Sequence, residues 1–141
     1  MKWHLEILPT NQLHFWESKI INGFEDFVLY GGTALALRLG HRVSVDFDFF
    51  SNQSFSPLEL KQHFNLQGEI LQAEKNTLTL LIHDVKISFF GGLPFGCINR
   101  PDFYNNCPIA SLQDLAGCKL AALWQRVELK DYLDIAALLR A

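Results

Sequence analysis

The segment from Phe27 to Phe50, FVLYGGTALALRLGHRVSVDFDFF, constrains the fold of this chain more than any other. Phe27 to Tyr30 predicts a short buried strand, and the paired glycines after it predict a turn. Thr33 to Leu39 predicts a helix that is too short to be stable alone and therefore packs on a sheet, with Gly40 as its C-terminal cap. Val43 to Phe49 alternates polar and apolar residues, which predicts a second strand. Strands joined by a packed helix favour the α/β (α+β) class.

The rest of the chain predicts more helices and a meander of strands. A helix is predicted from Thr10 to Asn22, and Ser56, Pro57 and Glu59 predict a capping box at the start of the next helix. Three consecutive strands are predicted at Gln67 to Ala73, Thr77 to Ile82 and Val85 to Phe90. An irregular polar loop follows from Asn99 to Pro108, and a helical segment in two pieces runs from Leu112 to Leu139. Because no linker or repeat interrupts them, we expect one domain over residues 1–141.

Composition and charge favour a compact intracellular domain. The 141 residues are 49% hydrophobic, which is enough to bury one core without disulfides. The formal net charge is only −3, so no broad basic surface for duplex nucleic acid is expected. Cys97, Cys107 and Cys118 have neither zinc nor disulfide spacing and are expected to be reduced thiols. With no signal peptide or membrane span recognisable, we expect a cytoplasmic location and no membrane partner.

Two aspartates in the predicted second strand form a candidate metal site. With a period of two, Ser44, Asp46 and Asp48 share one face, while Val43, Val45, Phe47 and Phe49 share the face that is expected to enter the core. Carboxylates roughly 7 Å apart on one face repel each other unless a cation neutralises them. Mg²⁺ prefers such oxygen ligands, particularly when phosphates complete its shell. The alternative is a pair of solvent-facing residues on an edge strand.

The paired glycines form a candidate phosphate site. Gly31 and Gly32 would let a phosphate approach the backbone amides, and Thr33 adds a hydroxyl at the start of the helix. The alternative is an ordinary tight turn. Neither the Walker pattern nor the dinucleotide-binding pattern of glycines is present, so any phosphate site here is of another kind.

A second group of candidate residues lies in the C-terminal helical segment. At about 100° per residue, Lys119 and Arg126 share one helix face beside its apolar stripe. From there both cations could reach across a cleft, Lys119 to a triphosphate and Arg126 to a phosphate or an aspartate. The alternative is a solvated helix face. Asp131 and Asp134 also share a face, and Lys130 offers Asp134 an ordinary helical salt link.

Together these residues resemble the motifs of a known family. Gly-Gly-Thr at 31–33, followed by the segment Arg42-Val43-Ser44-Val45-Asp46-Phe47-Asp48, is similar to the first motif of polymerase-β-type nucleotidyltransferases and most similar to that of the AbiEii/AbiGii toxin family. The C-terminal motif of that family is resembled by the ordered residues Asp114, Lys119, Arg126, Asp131 and Asp134. The resemblance implies a minimal nucleotidyltransferase fold, which has a mixed, mostly antiparallel sheet with helices packed on it and a C-terminal helical segment.

The same resemblance implies a function. A toxin-like enzyme of this kind transfers a nucleoside monophosphate from a nucleoside triphosphate to an acceptor, such as tRNA or another RNA. Its metal would be Mg²⁺ or Mn²⁺, and its partner would be a cognate antitoxin. Asp46 and Asp48 would hold the metal and act in catalysis with Lys119 and Asp131. The phosphates would be bound by Gly31, Gly32, Thr33, Arg42, Ser44 and Arg126. Because the chain is short and mildly acidic, we expect a homodimer or a partner protein to supply part of the RNA surface.

The predicted strand Val85 to Phe90 carries the main departure from the superfamily pattern. A third carboxylate is expected there, and Ser88 stands at its position. This substitution leaves open a non-catalytic relative that binds nucleotides or has a regulatory role. Transfer to a small molecule such as an aminoglycoside is a further alternative, since the sequence identifies neither the nucleotide nor the acceptor.

Overall fold

The computed structural model describes residues 2–93, 98–125 and 128–141. Its strands are β1 (Val28–Tyr30), β2 (Phe47–Phe50), β3 (Glu69–Glu74), β4 (Thr77–Ile82), β5 (Val85–Phe90), β6 (Asp102–Tyr104) and β7 (Cys107–Ile109). They form one seven-stranded sheet in the order β3-β4-β5-β2-β1-β7-β6. The β1–β7 and β2–β5 pairings are parallel and the other pairings are antiparallel. The predicted mixed, mostly antiparallel sheet and the meander of β3, β4 and β5 are therefore confirmed.

Five α-helices lie in the described part of the chain, and α4 and α5 pack against α2 and each other: α1 (Thr10–Trp16), α2 (Gly31–Leu39), α3 (Pro57–His63), α4 (Leu112–Gln125) and α5 (Leu129–Arg140). Gly40 ends α2 with a left-handed φ of 63°, as predicted. The C-terminal helical segment is in two pieces, also as predicted.

Two details of the predicted helices are wrong. Helix α1 ends at Trp16, and a 3-10 turn over Lys19–Gly23 replaces its predicted continuation. Ser18 explains this end, because its hydroxyl donates to the carbonyl of Phe15 at 2.7 Å and competes with helical hydrogen bonding. Ser56 precedes α3 as predicted but makes no capping hydrogen bond through its side chain, so the predicted capping box does not form.

Aromatic packing fixes the position of the central strand β2. Phe47 and Phe49 are fully buried on one face of the strand. Phe47 stacks on Trp16 with ring centroids 5.6 Å apart, and Phe49 stacks on Phe89 at 5.4 Å. Burying each such side chain contributes roughly 1.5–3 kcal/mol. Because side chains alternate along a strand, this packing directs Asp48 to the opposite face of the sheet.

The predicted second strand is shorter than its alternating pattern suggests. Strand β2 begins at Phe47, and Val43 and Val45 are 61% and 44% exposed rather than in the core. Residues 43–46 have no neighbouring strand in the described part of the chain, since the pairing of β2 with β1 ends at Asp48 opposite Tyr30. The segment is held instead by Ser44, whose backbone N–H donates to the carbonyl of Ile7 at 3.3 Å.

The segment predicted as an irregular loop over 99–108 contributes two strands. β6 and β7 form a hairpin, and β7 extends the sheet beside β1 through the pairing of Leu29 with Ile109. The guanidinium of Arg38 in α2 donates to the carbonyls of Ile109 and Ala110 at 3.0 and 2.7 Å. A three-residue strand with a central proline lacks the pattern by which strands are recognised, which explains the wrong prediction.

Two further expectations concern the cysteines and the membrane. Cys107 is a buried free thiol and Cys118 an exposed one, whereas Cys97 lies outside the described residues. Burial raises the pKa of Cys107 to about 12. No helix in the described ranges combines the length and the apolar character that a bilayer crossing requires.

Candidate functional site

A cavity of about 340 Å³ lies where the N-terminus of α2 approaches β2, α4 and α5. Residues of both sequence motifs line it, namely Gly31, Gly32, Arg42, Ser44, Asp46, Asp48, Lys119 and Asp131. Thr33 is buried beside the cavity, in contact with Ser44, and Arg126 lies outside the described residues. A larger cavity, of about 550 Å³, contains none of these residues in its lining. The smaller cavity is therefore the candidate functional site.

The paired glycines allow the site side chains to approach the start of α2. Gly31 has a φ of +79°, and a Cβ atom there would lie 2.8 Å from Oδ2 of Asp48. A Cβ atom at Gly32 would collide with Nη2 of Arg42. Both glycines also line the cavity. Their visible role is thus to bring the backbone of the turn against Asp48 and Arg42, while their contact with a phosphate stays a prediction.

A pair of buried hydroxyl groups shapes the backbone before β2. The hydroxyl of Thr33 donates to the carbonyl of Asp46, and the hydroxyls of Thr33 and Ser44 lie 2.6 Å apart. Because Thr33 has only one hydroxyl proton, Ser44 is the donor within the pair. Both side chains are at least nine-tenths buried. This network connects α2 to the segment that carries Asp46.

Asp46 and Asp48 reach the cavity from different backbone settings. Asp48 lies in β2, in register with Tyr30 of β1 and Ser88 of β5. Asp46 precedes the strand and is partly exposed, and its carboxylate makes no hydrogen bond or ion pair with any residue that the structure describes. Two carboxylates are suitable ligands for Mg²⁺, which usually keeps water or substrate phosphates in the rest of its shell. The described ranges contain no cluster of three or more acidic, His or Cys side chains that would form a complete metal site.

Ser88 occupies the strand position beside Asp48, on the same face of the sheet. It is 4% exposed, and its hydroxyl lies 3.0 Å from that of Thr79 on β4. Ser88 does not line the cavity. The position at which the superfamily is expected to place a third carboxylate is therefore taken by a buried hydroxyl that bonds to the neighbouring strand.

Lys119 joins α4 to α5 at the wall of the cavity. Its Nζ lies 2.9 Å from Oδ1 of Asp131 and 2.8 Å from Oδ2 of Asp134. Asp131 also accepts a hydrogen bond from the backbone N–H of Glu128 at 2.9 Å, which closes a capping box at the start of α5. Asp131 thus stabilises its helix and fixes Lys119 at the same time.

Asp134 is a buried carboxylate that contacts the cationic side chains Arg42 and Lys119. It is fully buried and accepts two hydrogen bonds from Arg42, from Nε at 2.7 Å and from Nη2 at 3.0 Å. His41 Nε2 lies 2.6 Å from its Oδ1. Although burial raises the pKa of Asp134, the hydrogen bonds from Arg42, Lys119 and His41 outweigh that effect and lower the pKa to about 2. Asp134 is therefore a carboxylate at neutral pH.

The sequence analysis placed Asp134 in the second motif but predicted neither its contacts with Arg42 and Lys119 nor its contact with His41. The expected salt link between Asp134 and Lys130 is replaced by the contacts above, and Nζ of Lys130 lies 3.6 Å from Oε2 of Glu128. The spacing of Asp131 and Asp134 on one helix face, and the position of His41 beside Arg42, were the features that could have indicated them. Neither feature identifies a partner on a distant segment.

Three known proteins or protein families are similar to this chain. Residues 18–80 match the family model described as nucleotidyl transferase AbiEii toxin, Type IV TA system. An uncharacterized protein of Aquifex aeolicus (strain VF5) is 36% identical over 121 residues, and the match covers 82% of this chain and 58% of that protein's length. The crystal structure of the Megavirus polyadenylate synthase matches with a TM-score of 0.58 and 12% identity, over 86% of this chain and 29% of that chain. The last match confirms the predicted nucleotidyltransferase-like fold.

Proposed function

We infer that this chain, which its two motifs and the family-model match assign to the AbiEii nucleotidyltransferase toxin family, transfers a nucleoside monophosphate from a nucleoside triphosphate to an acceptor. One observation carries the proposal. Asp46 and Asp48 from the first motif line the same cavity as Lys119 and Asp131 from the second, although the two motifs are far apart in the chain. The family match ends at residue 80, so the meeting of the two motifs is evidence independent of it.

Mg²⁺ is the proposed metal, with Mn²⁺ as a substitute, and Asp46 and Asp48 are its proposed ligands. Three cationic side chains and three carboxylates line the cavity, and Asp134 adds a fourth carboxylate behind them. Arg42, Lys119 and Lys130 each lie within ion-pair distance of a carboxylate. A triphosphate therefore meets no excess of positive charge from the described residues. A divalent cation would supply it and polarise the phosphate oxygens.

The proposed reaction is the attack of an acceptor oxygen on the α-phosphorus of the nucleoside triphosphate. The bond from the α-phosphorus to the bridging oxygen breaks, pyrophosphate leaves, and the proton of the acceptor hydroxyl is released. Lys119 and Arg42 lie where they could balance charge on the phosphates, and Gly31, Gly32, Ser44 and Arg126 are proposed phosphate contacts. Thr33 supports this set through Ser44 and the carbonyl of Asp46.

An RNA acceptor, such as tRNA, and a cognate antitoxin are proposed from the family alone. The family description names a toxin of a TA system, and a cytoplasmic location would suit both partners. The chain spans 58% of the length of its Aquifex aeolicus relative. With a net charge of −3, it has little positive charge for a large RNA. A homodimer or a partner protein is the proposed source of the remaining surface.

Label transfer tests this proposal. The protein is incubated with Mg²⁺, total RNA, a mixture of small-molecule acceptors that includes aminoglycosides, and each nucleoside triphosphate labelled at the α-phosphate. We expect label in RNA with the wild type, none with Asp46→Ala or Asp48→Ala, and wild-type transfer with Asp102→Ala, a carboxylate at the sheet edge that pairs with Arg38. Label only in a small acceptor would favour the aminoglycoside-type alternative. Absence of label transfer in every combination would refute the proposal that this protein is a nucleotidyltransferase.

A non-catalytic nucleotide-binding module is the second candidate, and Ser88 is the observation that favours it. Its buried hydroxyl, bonded toward Thr79, gives the site no third carboxylate. Two-metal chemistry ordinarily needs more acidic ligands than Asp46 and Asp48 provide. Metal-dependent binding of a triphosphate without transfer to any acceptor is the result that this candidate predicts.

A further inference from the structure

We propose that Asp134 is a positioning residue of the candidate site, which sets where Arg42 and Lys119 stand without itself touching the substrate. The expected effect on kcat rests on the proposed function, whereas the contacts of Asp134 with Arg42 and Lys119 do not depend on nucleotidyl transfer. Asp134 does not line the cavity, whereas Arg42 and Lys119 do.

The contacts of Asp134 leave little freedom to the two cations. Arg42 donates from Nε to Oδ1 and from Nη2 to Oδ2, a two-point contact that fixes the plane of the guanidinium. Lys119 contacts Oδ2 at 2.8 Å. Both carboxylate oxygens therefore hold a cation of the site, and the carboxylate is fully buried.

His41 is a third side chain that contacts the carboxylate of Asp134. Its side chain is 7% exposed, and Nε2 lies 2.6 Å from Oδ1 of Asp134. Nδ1, the other ring nitrogen, is buried and has no hydrogen-bond partner among the described residues. Among the described residues, Asp134 is therefore the hydrogen-bond partner that the imidazole has. Since α2 ends just before His41 and Arg42, these contacts also hold the end of α2 against α5.

Gly32 provides independent evidence that the position of Arg42 matters. A Cβ atom at residue 32 would collide with Nη2 of Arg42 and lie 3.5 Å from Oδ2 of Asp134. In the position where Asp134 holds it, the guanidinium of Arg42 thus occupies space that a side chain at residue 32 would take. The Arg42–Asp134 pair is built into the wall of the site.

Asp134→Asn tests the proposal, because it keeps the size of the side chain and removes its charge. An amide accepts hydrogen bonds only at its oxygen, so in either orientation its NH2 group faces a donor of Arg42 and the two-point contact with the guanidinium is lost. We expect kcat for nucleotidyl transfer to fall about tenfold or more, since small misplacements of site groups are costly. KM for the metal–triphosphate complex should stay equal or fall, because the site loses a negative charge.

Asp102→Asn is the matched control. It removes the charge from another aspartate that pairs with an arginine, at 2.9 Å from Nη1 of Arg38, away from the cavity. We expect wild-type kcat and KM for it. The proposal is overturned if Asp134→Asn keeps the wild-type kcat. It is also overturned if kcat falls together with a rise in KM, because a merely structural role, in which the whole site loosens, would weaken substrate binding as well.

A spectroscopic measurement separates this inference from the proposed function. In the wild type, the Nε–H of Arg42 and that of Arg38 both donate to fixed oxygens at 2.7 Å, so both should give slowly exchanging NMR signals. Arg42→Lys assigns the Arg42 signal by removing it, and Asp134→Asn should remove the same signal while the Arg38 signal remains. A wild type without a protected Arg42 signal overturns the proposal. A wild type that has the signal but transfers no nucleotide contradicts the proposed function alone.

Discussion

The turn at Gly31 and Gly32 is fitted to the side chains that surround it. The sequence predicted a turn with room for a phosphate, and the structure shows backbone packed against Asp48 and Arg42. These contacts could not be predicted, because the residues that meet the glycines come from β2 and from the segment after α2. The tight turn and the candidate phosphate site are therefore compatible interpretations of the same two residues.

Gly32→Ala is predicted to inactivate the site. The added methyl group displaces the guanidinium of Arg42 from Asp134, so we expect transfer or metal–triphosphate binding to fall about tenfold or more. Gly117→Ala is the control, because Gly117 lies in α4 with no atom within 4 Å of an added Cβ. Alanine there should stabilise the helix by roughly 0.5–1 kcal/mol and leave activity unchanged. Equal activity of the two variants would contradict the prediction.

Thr33→Val tests the buried hydroxyl pair. Valine has nearly the same shape but leaves the hydroxyl of Ser44 without its acceptor and the carbonyl of Asp46 without its donor. We expect a loss of about 1–3 kcal/mol in the free energy of unfolding, measured by urea denaturation. Thr33→Ser retains the hydroxyl and should cost only about 1 kcal/mol for the lost methyl group. A Thr33→Val protein as stable as the wild type would contradict the prediction.

At the scale of elements, strong periodic patterns predicted the structure well. The meander of β3, β4 and β5 and the two C-terminal helices lie close to their predicted bounds, because each is long enough for its pattern to dominate. The alternation over Val43 to Phe49 predicted too long a strand, since only residues from Phe47 onward have strand neighbours. Strand pairing is a tertiary contact, and a local pattern does not contain it.

The contact between α5 and the segment after α2 should make stability depend on pH. Asp134 has its pKa lowered from 3.8 to about 2, so its contribution is fully present above pH 4 and is lost as the pH falls toward 2. We expect the difference in unfolding free energy between the wild type and Asp134→Asn to shrink over this range. Urea denaturation at several pH values measures it. A difference that is constant from pH 5 to pH 2 would contradict the lowered pKa.

At the scale of the whole molecule, the site joins two distant parts of the chain. The resemblance to the family identified residues of both parts, and the structure brings Asp46, Asp48, Lys119 and Asp131 to one cavity. It did not reveal that Lys119 and Arg42 would share Asp134, because ion-pair partners depend on how α5 lies against α2 and α4. The charge balance of the cavity is accordingly a property of the fold and not of either motif.

This charge balance predicts that a triphosphate binds only together with a divalent cation. The cations of the cavity already contact carboxylates, and Asp46 and Asp48 add negative charge where the phosphates would enter. The most direct test is calorimetric titration with a non-hydrolysable nucleoside triphosphate, with Mg²⁺ and with EDTA. We expect binding with Mg²⁺, none with EDTA, and a loss of at least tenfold in affinity for Asp46→Asn and Asp48→Asn. Equal affinity with and without the metal, or undiminished binding by both variants, would contradict the proposed metal–triphosphate site.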